Sequence, residues 1–169
     1  SYKQTFDSSD KKTYHYKIRV LSTNISLDRF YLNIDPVSVI NDLIEISEPD
    51  KNEKTIFVWP EGILPSISQK ELVDYKWLFE KSFSDNHLFA IGINSQTSEN
   101  GIINYFNSLS IYDHNLSLLH SYKKVNLVPF GEFLPFENVL RTIGLRTVTN
   151  NYQSFSSGKK RNIIKINKE

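Results

Sequence analysis

Residues 55–62 read TIFVWPEG. Thr55 to Trp59 form an unbroken apolar and β-branched run, which predicts a short strand buried on both faces. Pro60 has no N–H to give to a sheet ladder and closes the run. Glu61 follows at once. Catalytic carboxylates occur at such mouths, because the strand fixes the group while the loop gives access. Taken by itself, this stretch favours a plainer reading, in which Glu61 is a solvated acid at a strand exit.

The segments on either side alternate between strand and helix patterns. Upstream, residues 16–24 (YKIRVLSTN) predict a buried strand. Asp35-Pro36 then opens a helix, with Asp as N-cap and Pro at the first helical position. Val37, Ile40, Leu43 and Ile44 line one face of it, and Pro49 marks its end. Downstream, Leu72, Tyr75, Leu78, Phe79 and Phe83 recur at helical spacing within residues 69–83. Residues 88–94 (LFAIGIN) predict another buried strand. Residues 102–113 and 116–122 predict two strands joined as a hairpin at Asp113-His114-Asn115. Residues 123–135 predict a loop, 136–145 a short helix, 150–158 a polar loop, and 162–167 (NIIKIN) a last strand. Lys159, Lys160 and Arg161 read as a solvated approach to that strand. The order predicts an α/β sandwich with helices outside a sheet. A final apolar strand with nothing after it reads as one whose partner is missing. Residues 1–15 are polar and aperiodic, a linker or frayed terminus. Residues 16–169 form one domain.

Composition excludes several function classes. With 20 basic and 19 acidic residues the formal net charge is +1. No basic footprint for nucleic acid or for an anionic membrane follows from it. Cysteine is absent, so these residues hold no thiolate metal site and no thiol nucleophile. His15, His87, His114 and His120 show no ligand spacing and read as surface or hairpin residues, with no metal implied. The chain starts on Ser, carries no signal pattern, and has no apolar run near the ~18 residues that span a bilayer. It therefore reads as a piece of a longer protein.

A second stretch, SYKKVNLVPFGEFLP at 121–135, places Lys124 ahead of an apolar loop and Glu132 within it. Phe130 and Phe133 flank Glu132. A carboxylate among aromatics loses solvation, which raises its pKa unless a cation compensates, and Lys124 is a cation within reach. Local sequence leaves open an unrelated surface lysine and loop acid.

Together the two stretches resemble the nitrilase superfamily. In that superfamily a Pro-Glu step after a strand and a Lys after a hairpin precede a nucleophilic Cys. Trp59-Pro60-Glu61, the run Leu127 to Pro135, Asn107-Ser108 and residues 154–158 (SFSSG) are similar in particular to apolipoprotein N-acyltransferases. The resemblance spans about Lys17 to Asn167. It implies a nitrilase-type α-β-β-α sandwich, C-terminally incomplete and cut before the family's Cys-Tyr-Glu step. As written, the chain would then be unable to form an acyl-enzyme.

The resemblance also implies the chemistry. A thiolate takes an acyl group from a phospholipid donor as a thioester and passes it to the α-amine of a diacylglyceryl-cysteine, the first residue of an apolipoprotein. Glu61 would act as general base. Lys124, chosen over Lys123 by its spacing from Tyr122 and Leu127, would stabilise the oxyanion. Glu132 would hydrogen-bond Lys124, Glu61 or the acceptor amine. Trp59, Phe130 and Phe133, with Phe136, would contact acyl chains or pack the core. No cofactor is implied. The resemblance places the domain on the periplasmic side of the bacterial inner membrane, anchored through segments outside these residues. Two other readings stand: a soluble nitrilase-type amidase sharing Glu61 and Lys124, and a non-catalytic remnant or binding fragment, which the absence of cysteine favours.

Overall fold

The computed structural model describes residues 15–22, 35–64, 67–129, 131–135, 142 and 154–160. Within them the chain runs β1 (Lys17–Val20), α1 (Pro36–Ser47), β2 (Thr55–Trp59), a 3-10 turn (Leu72–Tyr75), α2 (Lys76–Ser82), β3 (His87–Glu99), β4 (Ile102–Asp113) and β5 (Leu118–Lys123). The five strands form one sheet in the order β1-β2-β3-β4-β5. β1, β2 and β3 are parallel, and β3, β4 and β5 are antiparallel. The α/β class expected from the alternation of patterns holds. The described residues build one helix layer on one sheet, and the second pair of layers of the expected sandwich is not among them.

Cross-strand register shows which residues share the helix-covered face. Phe57 lies beside Phe89 and Phe89 beside Tyr112, while Trp59 lies beside Ile91 and Ile91 beside Ser110. These side chains meet Ile40, Leu43 and Ile44 of α1 and Leu72, Leu78 and Phe79 of the second helical segment in one core. Its centre is aromatic: Phe83 and Phe89 pack edge to face at 4.7 Å, and Trp59 tilts over Phe79 at 5.5 Å. Asp35 caps α1 as expected, accepting from the N–H groups of Val37 and Ser38 at 3.2 Å. A cap of this kind is worth about 1 kcal/mol. At the other end, the Arg19 guanidinium donates to the carbonyls of Ser47 and Glu48, groups that a helix terminus leaves without partners.

Four expectations are corrected. β1 is not buried: Ile18 is 69% and Val20 65% exposed. Among the described residues it is an edge strand, and an apolar run does not reveal how many neighbours a strand has. The helix expected over 69–83 starts later, because Gln69 is bound to β3, its N–H donating to the Asn94 carbonyl at 2.7 Å. β3 runs to Glu99, well beyond Asn94, and turns into β4 at Asn100-Gly101, both with positive φ, the dipeptide that two-residue hairpins prefer. His87 is no surface residue: it is fully buried. Its Nδ1 accepts from the Ser84 N–H and its Nε2 lies 2.9 Å from the Asp50 carbonyl. Burial lowers its pKa, against the opposing pull of the Asp50 carbonyl. The hairpin at Asp113 is present, with β5 starting at Leu118 and Asp113 accepting from the N–H groups of Asn115 and Ser117. The helix expected at 136–145 and the strand at 162–167 lie outside the described residues, apart from Thr142.

Candidate functional site: a lysine between two carboxylates

Four polar side chains converge beside the C-terminal end of β2. Each is delivered by a different piece of backbone. Glu61 lies in the turn that leaves β2, where Gly62 takes a positive φ of 77°. That turn presses on β3: a Cβ on Gly92 would stand 2.7 Å from the Cα and N of Glu61. Only glycine leaves room for this approach.

Lys124 follows the last residue of β5, and its N–H donates to the Asn107 carbonyl at 2.8 Å. Neighbouring residues on a strand point to opposite faces, and the two lysines obey this. Lys123 Nζ stands 3.9 Å from the centre of the Phe106 ring. Lys124 Nζ turns the other way, 2.9 Å from Glu132 Oε1 and 3.6 Å from Glu61 Oε2. The lysine that the resemblance singles out is thus the one brought to both carboxylates.

Glu132 organises the loop that presents it. Its Oε2 accepts from the Val128 N–H at 2.6 Å, and its own N–H donates to the Val128 carbonyl at 2.8 Å. Its carbonyl accepts from the Phe155 N–H at 2.8 Å, while the Gly158 N–H donates to the Lys124 carbonyl at 2.9 Å. Residues 155–158 are thereby fastened along the site.

Asn107, on β4, completes the group. Its Nδ2 donates to Glu61 Oε1 and to Glu132 Oε1, both at 2.5 Å. Sequence reading noted Asn107 only as part of a family-like stretch. The missed signal is a carboxamide among the apolar and hydroxyl residues of a strand, which a buried position accepts only with partners.

The two acids differ in surroundings. The Glu132 side chain is 9% exposed and the Glu61 side chain 59%, with Lys124 between them at 31%. Burial pushes the Glu132 pKa up, but Lys124, the Val128 N–H and Asn107 outweigh it and hold it below the ordinary 4.5. The hydrogen bond from Lys124 to Glu132 raises the lysine above 10.5, against desolvation, with Glu61 adding to the rise.

The two shifts act at opposite ends of the pH scale. Glu132 stabilises the fold above its unfolded value near 4.5, and that contribution is lost as pH falls through its depressed folded pKa. Lys124 contributes below 10.5 and loses its contribution as pH rises through its raised folded pKa. Urea unfolding of the wild type is therefore expected to weaken on acidification below about pH 4.5 more steeply than that of Glu132→Gln. Parallel acid losses in the two proteins would remove Glu132 from this role.

Glu61, Asn107 and Glu132 border a cleft of about 420 Å³, with Gly92, Asn94 and Phe155 also in its wall. Phe155 is an aromatic that sequence reading did not select. Phe133 is half-buried, and Phe130 and Phe136 lie outside the described residues. Trp59, expected among the substrate contacts, is fully buried. Its indole N–H donates to the Ser47 hydroxyl at 3.2 Å beneath α1, so its part is packing. Among the described residues no group of three or more His, Cys, Asp or Glu could hold a metal ion. The arrangement offers a solvent-reachable base, a fixed cation and a buried anion that anchors the cation.

Similarity to known proteins extends over most of the chain. A protein of Brucella suis biovar 1 is 25% identical over 154 residues, covering 88% of this chain and 29% of its own length. One of Rhodopseudomonas palustris is 25% identical over 159 residues, covering 89% and 30%. All bear one name. The relatives of this chain are apolipoprotein N-acyltransferases. A further apolipoprotein N-acyltransferase, from Rhizobium leguminosarum bv. trifolii, is 30% identical over 113 residues, 66% of this chain and 21% of its own. The Brucella and Rhodopseudomonas matches thus span about 30% of the length of those two apolipoprotein N-acyltransferases. No protein-family model matches it. Among solved structures it is similar to the C. elegans NitFhit protein, with a TM-score of 0.39 and 15% identity over 67% of this chain and 28% of that one. It is also similar to an N-terminal amidase, with a TM-score of 0.40 and 16% identity over 66% and 28%.

Proposed function

We propose that this chain carries the Glu-Lys-Glu part of an apolipoprotein N-acyltransferase site, the nucleophilic cysteine coming from outside these residues. The observation that carries the reading is that Lys124 stands between Glu61 and Glu132, two acids far apart in sequence that border one cleft.

The first half-reaction starts with a cysteine thiol in the cleft, whose proton passes to Glu61. The thiolate adds to the acyl ester carbonyl of a phospholipid. Lys124 faces the oxyanion that develops, a fixed cation that need not reorganise as charge appears. Collapse releases the lysophospholipid alkoxide, which takes the proton back from Glu61, and leaves a thioester. In the second half, the α-amine of a diacylglyceryl-cysteine adds to the thioester and gives its proton to Glu61. The thiolate leaves and takes that proton back from Glu61, and an amide remains. Glu132 stays ionised throughout and holds Lys124 in place. Lipid donor and lipoprotein acceptor require a bilayer, which fits a domain on the periplasmic side of a bacterial inner membrane. Among the described residues no helix is long and apolar enough to cross one, so anchoring would fall to other segments.

Glu61→Gln keeps the shape and removes the base. In the complete reading frame it is expected to slow acyl transfer to a diacylglyceryl lipopeptide by about 10²- to 10⁴-fold, with the melting temperature nearly unchanged because Glu61 is largely exposed. Wild-type rates in Glu61→Gln would remove Glu61 as the base.

A further inference from the structure

We infer that Asn107 is the positioning residue of the carboxylate pair, its side-chain amide binding Glu61 and Glu132 side by side and so setting where the base stands. This rests on the acyl-transfer reading above, in which Glu61 exchanges protons and Glu132 does not.

Two ionised carboxylates repel each other, and something must hold them together. On one side Lys124 Nζ reaches both, at 2.9 and 3.6 Å. On the other, a single nitrogen, Asn107 Nδ2, reaches both at 2.5 Å. A primary amide nitrogen carries two protons, one for each acid. Its orientation is not free, since an ionised carboxylate only accepts and the amide oxygen in that place would face two acceptors.

The neutral charge of this bridge matters. A second cation in place of Asn107 would bind Glu61 as an ion pair and reduce its basicity. A carboxamide supplies two donors without adding charge, and it does not titrate with the groups it holds. Its own placement is firm: Asn107 is 7% exposed, pairs with Asn94 across β3 and β4, and accepts the Lys124 N–H through its carbonyl. One strand residue thus aligns the base, the buried anion and, through the backbone, the cation. The asymmetry of the pair follows. Glu132 is also held by the Val128 N–H and is buried, whereas Glu61 opens to the cleft.

The test is NMR of the full chain with labelled asparagine. Both Asn107 side-chain amide protons are expected downfield of exposed asparagines and slow to exchange. Glu61→Gln should move one of the pair and Glu132→Gln the other. Acidification of the wild type should move the proton facing Glu132 as that group protonates. Amide protons at solvent-exposed shifts, or indifferent to both substitutions, overturn the inference without needing any Asn107 variant to fold. In the complete reading frame, Asn107→Leu should lower kcat by about 10²-fold, the cost of a base displaced by about an ångström, with KM within a factor of two. Equal kcat in a folded Asn107→Leu protein also overturns it. Coupled amide protons in a protein with no acyl transfer would uphold the positioning and reject the function instead.

Discussion

On the proposed function, Lys124→Met in the complete reading frame is expected to lower acyl transfer by about 10²- to 10³-fold, the loss typical of removing one preorganised oxyanion donor. It should also weaken the fold. The substitution leaves Glu132, with its side chain 9% exposed, without its cation. Removing one partner of a buried ion pair costs about 3–5 kcal/mol. Lys124 is itself 31% exposed, and water can enter where it stood, so a smaller loss of about 2 kcal/mol is expected. The pH dependence identifies the cause. With its cation gone, Glu132 should protonate at higher pH than in the wild type, because burial is then opposed only by the Val128 N–H and Asn107. The loss of stability should therefore shrink as pH falls and the neutral acid replaces the orphaned anion. Urea unfolding at several pH values reads this directly. A loss independent of pH would mean that the Lys124 stem, and not its charge, carries the effect.

Gly92→Ala is expected to be at least as damaging to stability, although it adds one methyl group. That methyl would stand 2.7 Å from the Glu61 Cα and N and 3.1 Å from the Pro60 carbonyl carbon. All are backbone atoms, so no flexible side chain can swing aside. Overpacking of this kind costs about 1–3 kcal/mol, and the upper end applies because β2 and β3 are bound in parallel register through Trp59 and Ile91. A fall of roughly 6–10 °C in melting temperature follows for a chain of this size. The turn carrying Glu61 is the softer partner and should move away from β3, stretching the contact with Asn107. Gly92→Ala should thus lose activity beyond its loss of stability, measured at a temperature where the variant is still folded. Full stability in Gly92→Ala would contradict the close approach of the Glu61 turn to β3.

Much of this was legible in the sequence. Thr55 to Trp59 forms the strand that its apolar run predicts, and Asp35-Pro36 opens the helix that its capping chemistry predicts. Lys124 was preferred to Lys123 through the resemblance, because its spacing from Tyr122 and Leu127 matches the family's, and the structure brings it to the two acids. What was not legible depends on partners distant in sequence. Periodicity shows that a run is apolar but not whether its strand is central or at an edge, hence the misplaced β1. Trp59 stands next to Pro60-Glu61 in sequence, yet alternation along β2 sends its ring under α1 and away from the cleft. His87 looked ordinary because its partners, Ser84 and the Asp50 carbonyl, are set by the fold. Asn107 joins the site only because β4 lies between β3 and β5, a register that no local motif encodes. The Asn100-Gly101 turn is different: its signal was present in the dipeptide, and the apolar pattern before it faded too early for the strand to be extended that far.

We propose that this site serves transfer of an acyl group to an amine. The most direct test is the mass of a diacylglyceryl-cysteine peptide incubated with phospholipid and the protein in its complete reading frame. The expected result is a gain of one fatty acyl group on the α-amine, abolished when that amine is blocked beforehand. An unchanged peptide mass, alongside hydrolysis of a small amide by the same preparation, would contradict it.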